Sequence, residues 1–271
     1  HHPSNCRCPQ LVDEDVQPWI VGGEFVPADF AAGELDRKFL DEAFPDQPVF
    51  LYDYTIHHAL ANTTALDLAG LSADSVDPPG GRLVRREGTD ELTGELVEQA
   101  RWPVMRAMSD YRAGIYRDAV GWAASVCHQY GITSVQEASA SPQALAAYRD
   151  LDRDGALNLH VAAHLVWKEE GFGMADTAEL DRTIAERAAF ASEHLDTGRI
   201  KIWLDGSPLP PHMTQADLDA HGTVDPTNIL VDEDQLTEVL RGFDAAGLSV
   251  KIHCAGAGSV RVALDAFETV R

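Results

Sequence analysis

The chain has 271 residues, 45% of them hydrophobic and 7% aromatic, which is enough apolar material for one large domain or two small ones. Forty-four acidic residues against twenty-one basic ones give a formal charge of −23, which repels a phosphate backbone and argues against nucleic acid as a partner. No apolar run approaches the roughly 20 residues that span a bilayer, and the N-terminus lacks the charged-then-apolar order of a secretory signal, so the expected location is the cytoplasm and no membrane partner is expected.

In chain order, the first stretch of predicted structure is rich in proline and glycine, with DPPGG at 77–81. It carries short strands such as PVFLYDY and a helix around ANTTALDLAG, and reads as a small inserted α+β subdomain over residues 1–114. The boundary falls near Arg106 to Tyr116. Beyond it RDAVGWAASVCHQYG has helical apolar spacing, stops at Gly131 and leads into the strand ITSVQEA. SPQALAAYRDLDRDG follows, with Ser141 as N-cap, Pro142 at the first helical position and Gly155 as the stop. The strand LNLHVAAHLVW, the charged helix TAELDRTIAERAAFASEHL and the strand RIKIWLDGS come next. Last, DEDQLTEVLRGFDAAG has an Asp232 cap with Gln235 three residues on, and feeds LSVKIHCAG. Strand and helix in alternation predict βα units around a parallel sheet over 115–271, as a barrel or a doubly wound sheet.

Cys6 and Cys8 are separated by one residue, a poor match to zinc-pair spacing, and with Cys127 and Cys254 they read as free thiols. No role attaches to His1 or His2. The chain has no G-x-S-x-G elbow, P-loop, H-E-x-x-H helix or dinucleotide turn, which disfavours a serine hydrolase and a cofactor-dependent oxidoreductase.

His253 ends the run LSVKIH, where a parallel strand gives way to its loop, the edge at which α/β barrels build their sites. Lysines are few (Lys38, Lys168, Lys201, Lys251), and Lys201 lies in an otherwise apolar strand, where a bare ammonium is costly. It must be neutralised, paired with an acid or modified. Strand alternation puts Lys201, Trp203 and Asp205 on one face, and Lys251 with His253 on one face of theirs. His57 and His58 are adjacent in an extended segment, so one is expected to be packed and the other solvated. His128, His160, His164, His194, His212 and His221 have no partners at ligand spacing and read as surface or core residues.

PDQPVFLYDYTIHHALANTTALDLAG, DELTGELVEQA, YGITSVQEA, GRIKIWLDGS and GLSVKIHCAGAGSVRVALDAFE, in that order, resemble the YtcJ-like branch of the amidohydrolase superfamily, which includes N-substituted formamide deformylase. The match runs from about Trp19 to the C-terminus. The resemblance implies a distorted TIM-type (β/α) barrel, here partial, with one or two divalent metals, usually zinc, at its C-terminal mouth. It implies metal ligation by Lys201, often carboxylated in the family, and by His253; substrate binding by His57, Asp205 and Gly206; and hydrolysis of a small-molecule amide or formamide by metal-activated water. It assigns no catalytic acid or base within this chain.

Three departures accompany it. The family's first-strand His-x-His motif is not found, the sequence ends before the sixth-strand histidine and eighth-strand aspartate, and the usual Gly-Asp after the strand-five histidine is Gly256-Ala257. The chain is therefore expected to be part of a longer enzyme or, alternatively, a catalytically silent fragment that binds a small molecule or a protein. Exposed sheet edges in a partial barrel favour pairing with another chain, so a homo-oligomer is expected.

Overall fold

The computed structural model describes residues 19–31, 34–108 and 115–271. Cys6, Cys8, His1 and His2 lie outside the described residues.

The first unit is a five-stranded mixed sheet. Its elements are β1 (Ile20–Phe25), α1 (Lys38–Ala43), β2 (Val49–Asp53), β3 (His58–Ala61), α2 (Thr63–Leu68), β4 (Gly81–Arg85), β5 (Leu92–Glu98) and α3 (Trp102–Ala107). The spatial order is β1-β2-β3-β5-β4, with β1 parallel to β2 and the remaining pairs antiparallel. Asn62 starts α2 and ties it to the sheet, because its side-chain oxygen accepts from Ala65 N at 3.1 Å and from Val49 N at 2.9 Å. Every residue of β5 is buried, including Glu95 and Glu98, so both carboxylates need partners inside the protein. Gly94, just before Glu95, has φ +89, and a Cβ there would collide with the Ala61 carbonyl and the Arg37 side chain.

The second unit alternates helix and strand: α4 (Ile115–Gln129), β6 (Ser134–Ala140), α5 (Pro142–Arg153), β7 (His160–Val166), α6 (Glu170–Gly173), α7 (Thr177–Ala185), β8 (Leu195–Trp203), α8 (Glu233–Ala245), β9 (Ser249–His253) and α9 (Ala257–Val270). The four strands pair in sequence order and all run parallel. The expected caps form: Ser141 Oγ accepts from Ala144 N at 3.1 Å and Asp232 from Gln235 N at 2.8 Å. One helix is shorter than its charge pattern suggests. TAELDRTIAERAAFASEHL is α-helical only to Ala185, followed by a 3-10 turn over Arg187–Ala189; Thr197 Oγ1 donates to Arg187 O at 3.0 Å, and β8 begins at Leu195, the last residue of the expected helix. The cost of leaving the helix is met by pairing Leu195 with Val161 of β7.

Leu165, Ile200, Ile202 and Leu204 form the helix-side core with Leu145 of α5 and Leu236 of α8. The opposite face carries Gln136, His164, Arg199, Lys201 and Lys251. Lys251 Nζ on β9 bonds the side chain of Gln136 on β6, three strands away. A flat sheet would hold those strands about 14 Å apart at the usual spacing, so the sheet curls toward this face. The sheet is nevertheless open: β6 and β9 are edges, and the expected barrel is not closed among the described residues. No helix among the described residues is long and apolar enough to cross a membrane.

Candidate active site

Register fixes the first part of the site. Lys201 of β8 lies opposite Lys251 of β9, and Trp203 lies opposite His253, so the two strands present these side chains to the same face at their C-terminal end. Lys201 is 8% exposed and forms no ion pair with an acid among the described residues, which removes the simplest expectation for a buried lysine. Its ammonium instead sits 4.5 Å over the Trp203 ring. Burial, with Lys251 nearby, pulls its pKa down to about 8. Trp203 stacks on Phe172 at 4.7 Å, and the Arg101 guanidinium lies 5.0 Å from the far ring, so two aromatic side chains separate two buried cations.

Asp205 is fully buried and its carboxylate is saturated by the protein. It accepts from Ala216 N (3.0 Å), Ala255 N (2.9 Å), Gly256 N (2.8 Å) and Ser259 Oγ (2.7 Å). These bonds tie the loop after β8 to the loop after β9 and to the start of α9. Gly206 follows with no room for a side chain, because a Cβ there would meet Thr214 Oγ1 and lie 2.5 Å from Glu98 Oε1. Its carbonyl lies 2.9 Å from His253 Nε2. Burial holds the His253 imidazole below its ordinary pKa, favouring the neutral ring that a metal ligand requires.

His57 comes to the same place from the other sheet. Its Nδ1 is 2.8 Å from Glu98 Oε2, its ring packs edge-on to Phe172 at 5.1 Å, and it lies 5.8 Å from the His253 ring. His58 corrects the expectation of one packed and one solvated histidine: it is completely buried, 5.5 Å from the His212 ring, and His57 is only 12% exposed. The segment between β2 and β3 is itself exposed at Tyr54 and Ile56, but His57 turns inward onto Glu98 and Phe172, and His58 enters β3, where every residue is buried. His212, which had read as a surface or core residue, bonds Glu95 Oε1 at 2.8 Å and closes the other end of the site.

A cavity of about 600 Å³ opens between the units, lined by Glu98, Glu169, Phe172, Trp203, Gly206 and His212 among others. Asp205 also reaches its wall. The described residues fit a metal only in part. Lys201 and His253 are donors on one face, yet no group of three or more His, Cys, Asp or Glu among the described residues is arranged to hold an ion.

Known proteins resemble this chain over most of its length. A family model described as amidohydrolase matches residues 8–271. The chain belongs to the amidohydrolase family. It is 30% identical to N-substituted formamide deformylase of Arthrobacter pascens, over 93% of this chain and 47% of that protein. It is 24% identical to the putative amidohydrolase YtcJ of Bacillus subtilis, over 92% of this chain and 46% of that protein. Among solved structures, a metal-dependent hydrolase of Pyrococcus horikoshii superposes with a TM-score of 0.58 at 21% identity, covering 92% of this chain and 47% of that one. The chain thus spans about half the length of the relatives it matches.

Within this amidohydrolase chain, sequence reasoning missed Glu98, Glu169, Phe172 and Thr214. Glu98 lay in plain view in DELTGELVEQA, a motif to which no role was attached. Glu169 is the more unusual acid. Burial, with the Glu98 charge adding to it, raises its pKa to about 7, although Gln99 donates to it and Arg101 is near. A carboxyl raised in the folded state contributes its stabilisation fully below its ordinary value of 4.5 and loses it as pH rises through about 7. Glu169→Gln is therefore expected to flatten the decline in stability between those two pH values by about 1–2 kcal/mol, discounted for partial exposure. Urea titrations of both proteins at pH 5 and pH 8 would show it, and identical pH slopes would reject it.

Proposed function

We propose that this chain carries part of the site of a metal-dependent amidohydrolase that hydrolyses C–N bonds of small amides or formamides. The observation that supports it most directly is the placement of Lys201 and His253 on one face at the C-terminal end of adjacent parallel strands, in a chain of this family. In this reading Lys201, carboxylated on its amine, and His253 are two ligands of a divalent metal, with zinc the preferred ion, and the remaining ligands come from outside the described residues. The metal, when bound, supplies Lewis-acid chemistry to the hydrolysis. The carbamate also answers the burial of Lys201, since it replaces a cation with an anion that a metal holds.

The chain's own residues bind and orient the substrate. His57 offers its imidazole to the substrate carbonyl from the side of the first sheet. Phe172 and Trp203 exclude water along one wall. Asp205 and Gly206 act on substrate through the loops they position rather than through the Asp205 carboxylate, whose oxygens are already engaged.

Hydrolysis of N-formyl and N-acyl amines after dialysis against zinc and bicarbonate, with bound metal measured in parallel, tests this. Supplying the second half of a longer relative in trans extends the test to a complete site. Formamide and amide turnover that rises with metal content is expected; turnover unchanged by a chelator would overturn it.

We further propose that the chain pairs with another copy. The exposed edges β6 and β9 support this, as do the terminal helices, on which Trp122 is 71% and Leu264 60% exposed. Sedimentation velocity is expected to show a species larger than 29.5 kDa, and a monomer at 100 μM (roughly the range where weak pairing appears) would overturn it.

A further inference from the structure

The motif DELTGELVEQA has no role in the reading above, yet it supplies the carboxylate on which His57 leans. Glu98 ends β5 with φ 50 and ψ −120, a backbone conformation that non-glycine residues seldom adopt. Such strain persists only where the surroundings hold it. Here they do so on every side. Glu98 N donates to His57 O at 2.8 Å, Glu98 O accepts from Arg101 Nε at 2.9 Å, and Thr214 Oγ1 donates to Glu98 Oε1 at 2.6 Å. Gly206 leaves the space that this same oxygen fills.

The other carboxylate oxygen faces His57 Nδ1 at 2.8 Å, and the Glu98 side chain is only 7% exposed. Burial pushes the Glu98 carboxyl up, but the His57 and Thr214 hydrogen bonds and the Arg101 charge outweigh it and hold the group ionised. An ionised carboxylate accepts only, so the Nδ1 position of His57 must carry a proton. When the ring is neutral its Nε2 is then a bare lone pair. That nitrogen has no hydrogen-bond partner among the described residues.

We infer that Glu98 is a positioning residue that fixes His57 as the Nδ1–H tautomer and leaves the Nε2 of the neutral ring as an acceptor open to a ligand. The same carboxylate, through Thr214 and the space at Gly206, keys the loop after β8 to the end of β5. The two units are thus held in register at a point where each contributes a histidine, His57 from the first and His253 from the second. This deepens the proposed function and rests on it only for the nature of the ligand that meets Nε2; the tautomer itself is independent of any activity.

The test is two-bond ¹H–¹⁵N correlation NMR of ¹⁵N-histidine protein at pH 8.5, above the ordinary histidine pKa of about 6.5, with His57 assigned from His57→Gln. Wild type is expected to show a protonated Nδ1 and unprotonated Nε2 for His57. Glu98→Gln keeps an acceptor oxygen and should retain that pattern, whereas Glu98→Ala should move His57 toward the Nε2–H form that free histidine prefers. A wild-type His57 in the Nε2–H form overturns the inference, as does an Nδ1–H signal unchanged in Glu98→Ala. Should Glu98→Ala fail to fold, the wild-type and Glu98→Gln spectra still decide. In a preparation with turnover, Glu98→Ala should lower kcat at least 10-fold and Glu98→Gln restore most of it. Absence of turnover in every protein, with the tautomer as expected, would count against the hydrolase reading and leave the inference standing.

Discussion

Replacing Asp205 with alanine is expected to destabilise the protein by about 4 kcal/mol, the largest effect of any single polar substitution in the site. The change removes a carboxylate that four donors share and leaves Ala216 N, Ala255 N, Gly256 N and Ser259 Oγ facing a cavity. An orphaned buried donor costs on the order of 1–3 kcal/mol. Partial entry of water tempers the sum, which is why the expected value lies nearer the cost of two lost donors than of four. In a protein of this size that corresponds to a fall in Tm of roughly 8–16 °C. Asp205→Asn should be nearly as harmful, because its amide NH₂ would be turned toward N–H groups. Differential scanning fluorimetry on the three proteins decides the matter. A shift under about 3 °C for the alanine variant would mean that the two loops do not depend on this carboxylate.

The second large effect concerns metal. Lys201→Ala and His253→Ala are each expected to abolish whatever zinc uptake the chain shows, whereas Lys251→Ala should leave it largely intact. Lys201 and Lys251 are register partners on the same face, so a general loss of positive charge would affect both variants alike. Only Lys201 is sealed over by Trp203, while Lys251 is bonded to Gln136 near solvent. Two protein donors seldom hold zinc tightly. Uptake by the isolated chain should accordingly be weak, and competition with a chromophoric chelator is the suitable measurement. In a preparation with turnover, either ligand variant should lose at least about 100-fold in kcat/KM, since substitutions merely supporting a ligand already cost 10–100-fold. Tight stoichiometric zinc that survives both substitutions would relocate the metal site to other donors, with His57, His160 and His164 the first to examine.

What the sequence determined about this chain is what short spacing encodes. The caps at Ser141 and Asp232 were legible because a cap and its target lie three residues apart, and the helix stops at Gly131 and Gly155 because glycine adopts the positive φ found there. The shared face of Lys201, Trp203 and Asp205 followed from strand alternation. The ordered motifs likewise carried the family. The long reach of α7 was misread since its charge pattern suits a helix throughout, and only pairing with Val161 puts Leu195, its last expected residue, into a strand. Tertiary structure alone decided the rest of the site. Glu98 meets His57 across 41 residues and Thr214 across 116, and His212 meets Glu95 across 117. No local period records such contacts, because they depend on how two separately folded sheets dock. An acid inside a buried strand is therefore visible in the sequence only as an unexplained charge, and its partner emerges when the chain closes around it.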